Sequence, residues 1–164
     1  MTTTMTSEQR KVTRTLLRRY LARARANQPS LHYSMWRPTM IHAPDGEWST
    51  DCSGLVINAF HWADMWLPYL IKDPGGYGYT GIGNTQTILN TNRKRRVPLD
   101  HKFFVGDMAL YGSWSRTKHV VICDTNGSQY SSVWTSHGSE RGPYQVKLHY
   151  RKDLLCVVRA ESLA

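Results

Sequence analysis

The sequence predicts an α+β fold in which N-terminal helices pack on a central antiparallel sheet of about five strands. Two observations support this prediction. Apolar residues recur at helical spacing in the first half, whereas short β-branched and aromatic runs separated by turn residues fill the second half. The chain has 164 residues, 40% hydrophobic and 20% charged, which is typical of one globular domain. We expect a single domain over residues 1–164, made of a basic N-terminal helix at 1–27 and a core at 28–160.

Helices are expected first along the chain. Thr6 and Gln9 form a capping box ahead of a helix that reaches about Ala26. Prolines and Gly46 make residues 28–51 irregular. Further helices are expected from Cys52 to a point before Pro68 and, after a glycine- and tyrosine-rich loop at 73–83, over Thr85–Asn90.

Strands follow the basic run Arg93–Arg96. The turn residues Thr125-Asn126-Gly127-Ser128 are a strong hairpin signal between the second and third strands. The expected strands are Asp107–Tyr111, Lys118–Asp124, Gln129–His137, Gln145–Tyr150 and Leu154–Arg159.

The net charge of +9 predicts an anionic partner, such as nucleic acid, a membrane surface or an anionic polymer. Much of the positive charge lies on the first helix. We favour an amphipathic helix that packs on the domain with its basic side in solvent, and the alternative is a helix that docks on anionic surfaces. No apolar run approaches the roughly 20 residues that a membrane span needs. The first residues have no apolar core, so we expect a protein made in a cytoplasm without a signal peptide.

Three cysteines without a short-range pairing pattern disfavour a disulfide scaffold. Cys123 and Cys156 lie in apolar strand-like runs, and we interpret them as buried structural thiols. Cys52 differs, because Ser49, Thr50 and Asp51 precede it and are all good N-cap types. In the first turn of a helix, and open to solvent on its polar side, its thiol is expected to have a lowered pKa and to act as a nucleophile.

A cysteine nucleophile needs a base and a group that orients the base. His119 opens an apolar strand, and His137 ends the next one, so a hairpin would place both near one end of the sheet. Side-chain alternation puts them on the same face only if the hairpin has an odd loop or a bulge, for which Gly127 is suited. Without one, His137 would not be the orienting residue.

Three segments resemble the NlpC-type papain-like cysteine peptidases, which cleave stem peptides of bacterial cell walls. The segments are Asp51-Cys52-Ser53-Gly54-Leu55-Val56, Val105-Gly106-Asp107-Met108-Ala109-Leu110-Tyr111-Gly112 and His119-Val120-Val121-Ile122. Residues 136–143 and Tyr79-Thr80-Gly81 are similar to the phage-encoded branch, found in endolysins and tail-associated lysins of phages of actinobacteria. The resemblance covers about residues 33–151 and implies a papain-like NlpC-type fold.

The resemblance assigns the nucleophile to Cys52, the base to His119 and the orienting group to His137. It also implies that Tyr33 contributes to the oxyanion site. The strand has His-Val-Val where the family usually has His-Val-Gly or His-Val-Ala, and the basic helix lies outside the family core. Residues near the predicted cleft that are candidates to bind substrate are Ser53, Trp36, Arg37, Trp48, Trp114 and Arg141.

These observations predict a phage-type peptidoglycan hydrolase, a cysteine endopeptidase acting through a thioester without a cofactor. Its expected partners are peptidoglycan stem peptides and anionic wall polymers, and we expect a monomer that acts on the host wall after release by a partner protein or delivery on a phage particle. An N-acetylmuramoyl-L-alanine amidase or acyltransferase with the same Cys-His site remains open, as does a basic nucleic-acid-binding module, which is disfavoured because no reading motif occurs. A zinc site on Cys52, His119 and His137 is disfavoured because the close ligand pairs are absent.

Overall fold

The computed structural model describes residues 4–35, 44–45, 48–67, 70–127, 132–138 and 141–164. Within these ranges the chain is α+β, with three α-helices, a six-stranded antiparallel sheet and a two-stranded parallel sheet. The helices are α1 (Ser7–Ala26), α2 (Cys52–Trp66) and α3 (Thr85–Asn92). The strands are β1 (Leu31–Tyr33), β2 (Trp48–Thr50), β3 (Arg96–Val97), β4 (Met108–Gly112), β5 (Thr117–Cys123), β6 (Trp134–Gly138), β7 (Arg141–Val146) and β8 (Leu154–Val158).

The first helix begins and ends where the sequence predicts. The Thr6 hydroxyl accepts from the Gln9 amide, and the Gln9 side chain accepts from the Thr6 amide, so the capping box is confirmed. One side of α1 is buried, including Leu17, Tyr20 and Leu21. Among its basic residues, Arg14 donates to the Leu163 carbonyl, and ion pairs join Arg23 to Asp45 and Arg25 to Asp124. This packing is the amphipathic arrangement that the sequence favours.

The second helix begins at Cys52, and its close packing against β2 depends on a glycine. Asp51 is the N-cap and accepts from the Gly54 amide at 2.7 Å. A Cβ added to Gly54 would lie 1.8 Å from the Thr50 hydroxyl oxygen, so only glycine allows this close approach. The helix ends at Trp66, before Pro68 as predicted.

The six-stranded sheet has the order β3-β8-β4-β5-β6-β7. Its alternating side chains form two separate cores. Leu110, Val120 and Cys156 belong to the core shared with α1 and α2, whereas Tyr111 and Val121 belong to the core on the other face. We call these the helix face and the outer face of the sheet.

The structure differs from the predicted elements in several places, one of which is β3 (Arg96–Val97), a sixth strand of the main sheet that was not predicted. Residues 28–51 were expected to be irregular, but β1 and β2 pair in parallel there; strands of three residues are too short to show a periodic pattern. Strand β6 begins at Trp134, later than expected, and residues 128–131 lie outside the described ranges. Strand β7 covers Arg141–Val146 in place of Gln145–Tyr150, because an edge strand tolerates Pro143.

No helix among the described residues is both long enough and apolar enough to cross a membrane.

Candidate functional site

Cys52 is the first residue of α2 and lies in an open cleft of about 410 Å³. The cleft has three walls. One wall is formed by Tyr33, the last residue of β1, and Met35. The start of α3 supplies Asn84, Thr85 and Gln86, and residues 115–118 span the end of the loop before β5 and the first two residues of that strand. Cys52 therefore combines a helix N-terminus with access to a cavity large enough for an extended peptide segment.

The thiol of Cys52 is more enclosed than the sequence predicts. Its residue is 6% exposed, and Sγ lies 3.9 Å from the Thr85 hydroxyl oxygen. Burial raises the pKa of the Cys52 thiol, while hydrogen bonds from the backbone N–H groups of Val120 and Ser53 act in the opposite direction. The expectation of a lowered pKa is corrected on this point, because desolvation outweighs the helix terminus.

His119 lies in β5, opposite Tyr111 of β4, and is held by a hydroxyl group. Its Nε2 lies 2.9 Å from the Ser136 Oγ, whose other neighbour is the Tyr150 hydroxyl at 3.4 Å. Nδ1 has no hydrogen-bond partner among the described residues. The ring is oriented through Nε2, which leaves Nδ1 available to exchange a proton.

Burial lowers the pKa of His119 to about 4, and the Arg151 guanidinium acts in the same direction. His119 is 9% exposed. At neutral pH its imidazole is therefore uncharged, as a general base must be.

The register between β5 and β6 explains why Ser136 reaches His119. The two strands are connected by residues 124–133 rather than by a tight turn, and Ile122 pairs with Thr135. Continued along the strands, this register places Ser136 on the same face as His119 and His137 on the opposite face. The hairpin is longer than either loop that the parity argument considered, and Ser136 occupies the orienting position expected for His137.

His137 is buried on the side of the sheet where Asp51 lies. It is 3% exposed, and neither of its ring nitrogens has a hydrogen-bond partner among the residues that the structure describes. Its ring centroid is 5.4 Å from that of Tyr33. Burial lowers the pKa of His137 to about 4, and the Asp51 carboxylate opposes this shift. A buried imidazole without partners costs free energy, which is a feature more often found at functional sites than in ordinary cores.

Cys52 and His119 are joined through the backbone of β5. The Cys52 thiol meets the N–H of Val120, the residue that follows His119. No hydrogen bond connects the two side chains within the described part of the chain. Side-chain alternation along β5 places Val120 on the helix face with Cys52 and His119 on the outer face, so direct proton transfer between Cys52 and His119 requires the two side chains to come together when substrate binds.

The predicted substrate-binding residues occupy different environments. Ser53 lines the cleft, but its hydroxyl donates to Asp51 at 3.1 Å and is buried. Trp114 is 38% exposed in the loop before β5. Trp36 and Arg37 lie outside the described residues, and the structure describes Trp48 and Arg141 by their backbones alone.

Sequence reasoning missed Ser136, Tyr150 and Thr85. Ser136 stands next to His137, and the same alternation rule selects it because the connection between β5 and β6 has an even number of residues. Thr85 gave no signal, because the contact between α3 and Cys52 joins residues far apart in sequence.

No group of three or more His, Cys, Asp or Glu side chains in the described ranges is arranged to hold a metal ion. Neither the models of protein families nor the curated protein sequences give a match to this chain.

Proposed function

We propose that this protein is a cysteine endopeptidase of the NlpC type that cleaves stem-peptide bonds of bacterial peptidoglycan. The observation that carries the proposal is the placement of Cys52 at the N-terminus of α2, in an open cleft and against the β5 backbone next to His119. The sequence resemblance supplies the substrate class.

The reaction would begin with the Cys52 thiol and the His119 imidazole both uncharged. Nδ1 of His119 accepts the thiol proton as Sγ attacks the scissile carbonyl carbon. The tetrahedral oxyanion would be stabilised by the Cys52 backbone N–H, with the Tyr33 hydroxyl as second donor. His119 then gives the proton to the leaving amine, and a thioester remains on Cys52.

Deacylation would reverse these roles. His119 removes a proton from water, the resulting hydroxide adds to the thioester carbon, and the C–S bond breaks. Sγ regains its proton from His119, and the product leaves as a carboxylic acid. Ser136 would take part only by holding Nε2, which leaves Nδ1 as the nitrogen that exchanges the proton.

The raised pKa of Cys52 is compatible with this route. A thiol that is neutral at rest can lose its proton to an adjacent imidazole at the moment of attack, as hydroxyl nucleophiles do. The Val120 and Ser53 N–H groups and the Thr85 hydroxyl surround the sulfur and stabilise charge that develops there.

The test is digestion of purified peptidoglycan by the wild type and by Cys52→Ala, with products identified by mass spectrometry. We expect new amino and carboxyl ends within stem peptides and no cleavage by Cys52→Ala. A Cys156→Ala variant is the matched control, because that thiol is also buried but lies in β8.

Other products would contradict the proposal in distinct ways. Cleavage between the lactyl group and the first alanine would identify an amidase, and new glycan reducing ends a glycosidase. Absence of any cleavage by a folded wild type would overturn the proposal, as would equal rates for Cys52→Ala and the wild type.

A further inference from the structure

The basic run Arg93–Arg96 is divided by the fold into two kinds of residue. Arg95 is structural, because its guanidinium donates to the carbonyls of Thr91 and Arg159. Arg93 and Arg96 instead lie over one aromatic ring, each with its guanidinium carbon 5.3 Å from the Trp114 centroid. All of these groups but Arg95 are exposed.

Among the described residues, no carboxylate pairs with the two arginines over Trp114. Elsewhere, Arg25 pairs with Asp124 and Arg159 pairs with Asp107. No ion pair of Arg93 or Arg96 with a carboxylate occurs within the parts of the chain that the structure describes. Two guanidinium groups that share one ring repel each other, and an anion between them would relieve this repulsion.

The cluster is fixed to the wall of the Cys52 cleft. Gln86, which lines the cleft, donates from Nε2 to the Trp114 carbonyl at 3.1 Å. Its Oε1 accepts from the Thr117 amide at 2.9 Å. Thr85 immediately precedes Gln86, and its hydroxyl contacts the Cys52 sulfur. A substrate that extends from Cys52 along this wall therefore arrives at Trp114.

We propose that Arg93, Arg96 and Trp114 form a subsite for a carboxylate of an acidic peptide substrate, an inference that rests on the proposed peptidase function. Guanidinium groups bind carboxylates through paired N–H donors, and the indole ring holds both cations at a fixed place. Two guanidinium groups beside the cleft can bind one carboxylate, which would lie at a fixed distance from the scissile bond. A polymer of repeating anions would need a longer row of free cations.

The substrates for the test are two synthetic stem peptides that differ at one group, a free side-chain or α-carboxylate in the first and the matching carboxamide in the second. With the wild type, we expect kcat/KM to be about tenfold higher for the acid, since a charge-assisted contact at a partly exposed site has this size. The preference should shrink as salt is raised. In the double variant Arg93→Gln/Arg96→Gln the two peptides should be cleaved at equal rates.

Lys94→Gln is the matched control, because Lys94 is exposed in the same run and carries the same charge but does not lie over Trp114. It should retain the preference for the acid. A wild type that cleaves both peptides equally, or a double variant that keeps the preference, would overturn the subsite.

Binding to the inactive Cys52→Ala protein separates this proposal from the proposed function. If Cys52→Ala binds the acid more tightly than the amide and the arginine double variant removes that difference, the subsite stands even where the wild type cleaves neither peptide. If the double variant weakens binding of a wall polyphosphate polymer but leaves the acid–amide difference intact, the site is a polymer contact and the carboxylate proposal is wrong.

Discussion

The two histidines of the candidate site are both buried, but they differ in their hydrogen bonding. His119, on the outer face, has Nε2 hydrogen-bonded to Ser136, and the rings of Tyr111 and Tyr150 lie 6.0 and 6.2 Å from its own. Within the described ranges, neither nitrogen of His137 has a hydrogen-bond partner. The His119 ring is held in one orientation by a hydrogen bond, whereas the His137 ring is buried without one.

This difference shows that burial alone does not define a catalytic base. The useful property is a fixed orientation that leaves one nitrogen open, and only His119 has it. His137 retains a place beside Asp51 and Tyr33, where it fills space between the cap of α2 and the cleft.

Substitution of each histidine by alanine tests this difference most directly. We expect His119→Ala to lower kcat/KM on peptidoglycan peptides by about 10³-fold, the contribution typical of a general base, and His137→Ala to lower it by less than about tenfold. Circular dichroism checks that both variants are folded. Equal losses, or a larger loss for His137→Ala, would reverse the assignment.

Both histidines should make stability depend on pH. Burial lowers their pKa values in the folded state to about 4, below the 6.5 of a solvated histidine. Between these values the unfolded chain binds protons and the folded chain does not, so the free energy of unfolding should fall as the pH is lowered from 6.5 to 4. The expected total is on the order of a few kcal/mol, measured by urea denaturation.

His137→Phe sharpens this measurement, because it removes one titrating group from a buried position without changing the size of the ring greatly. The dependence on pH should become shallower, and no new unpaired nitrogen is left behind. An unchanged slope would show that His137 is not held in its neutral form by the fold.

The orienting role of Ser136 predicts a smaller kinetic effect. Ser136→Ala leaves the His119 Nε2 without its partner and should lower kcat about tenfold with little change in KM. Ser136→Thr, which keeps the hydroxyl, should restore part of the rate. Tyr150→Phe removes the other hydroxyl contact of Ser136 and serves as the control for it. A change confined to KM would indicate that Ser136 binds substrate instead.

The raised pKa of the Cys52 thiol predicts slow alkylation. In a Cys123→Ser/Cys156→Ala background, the reaction of Cys52 with iodoacetamide at pH 7 should be slower than that of a free thiol, and its rate should still be rising above pH 9. Rapid reaction that is independent of pH around neutrality would show a thiolate at rest and contradict a reaction that begins with both groups uncharged.

The sequence was sufficient for the parts of the fold that depend on local signals. The capping box at Thr6, the start of α2 after Asp51 and the position of β5 all follow from residue types within one or two turns. The contacts that complete the site were not accessible in this way, because they depend on how distant segments pack. The Thr85 contact with Cys52 and the long connection that brings Ser136 to His119 are examples. The buried state of Cys52 belongs to the same class, since burial is a property of the assembled cleft.

The two edge strands of the six-stranded sheet have a consequence for how the protein behaves at high concentration. Strand β3 has only two residues, and β7 carries Pro143. The Gln28 side chain donates to the carbonyls of Gly142 and Pro143, so part of the β7 edge is already occupied. Neither margin offers a long row of free amides and carbonyls to another chain, which protects against edge-to-edge aggregation in a protein whose sheet is otherwise rich in β-branched residues.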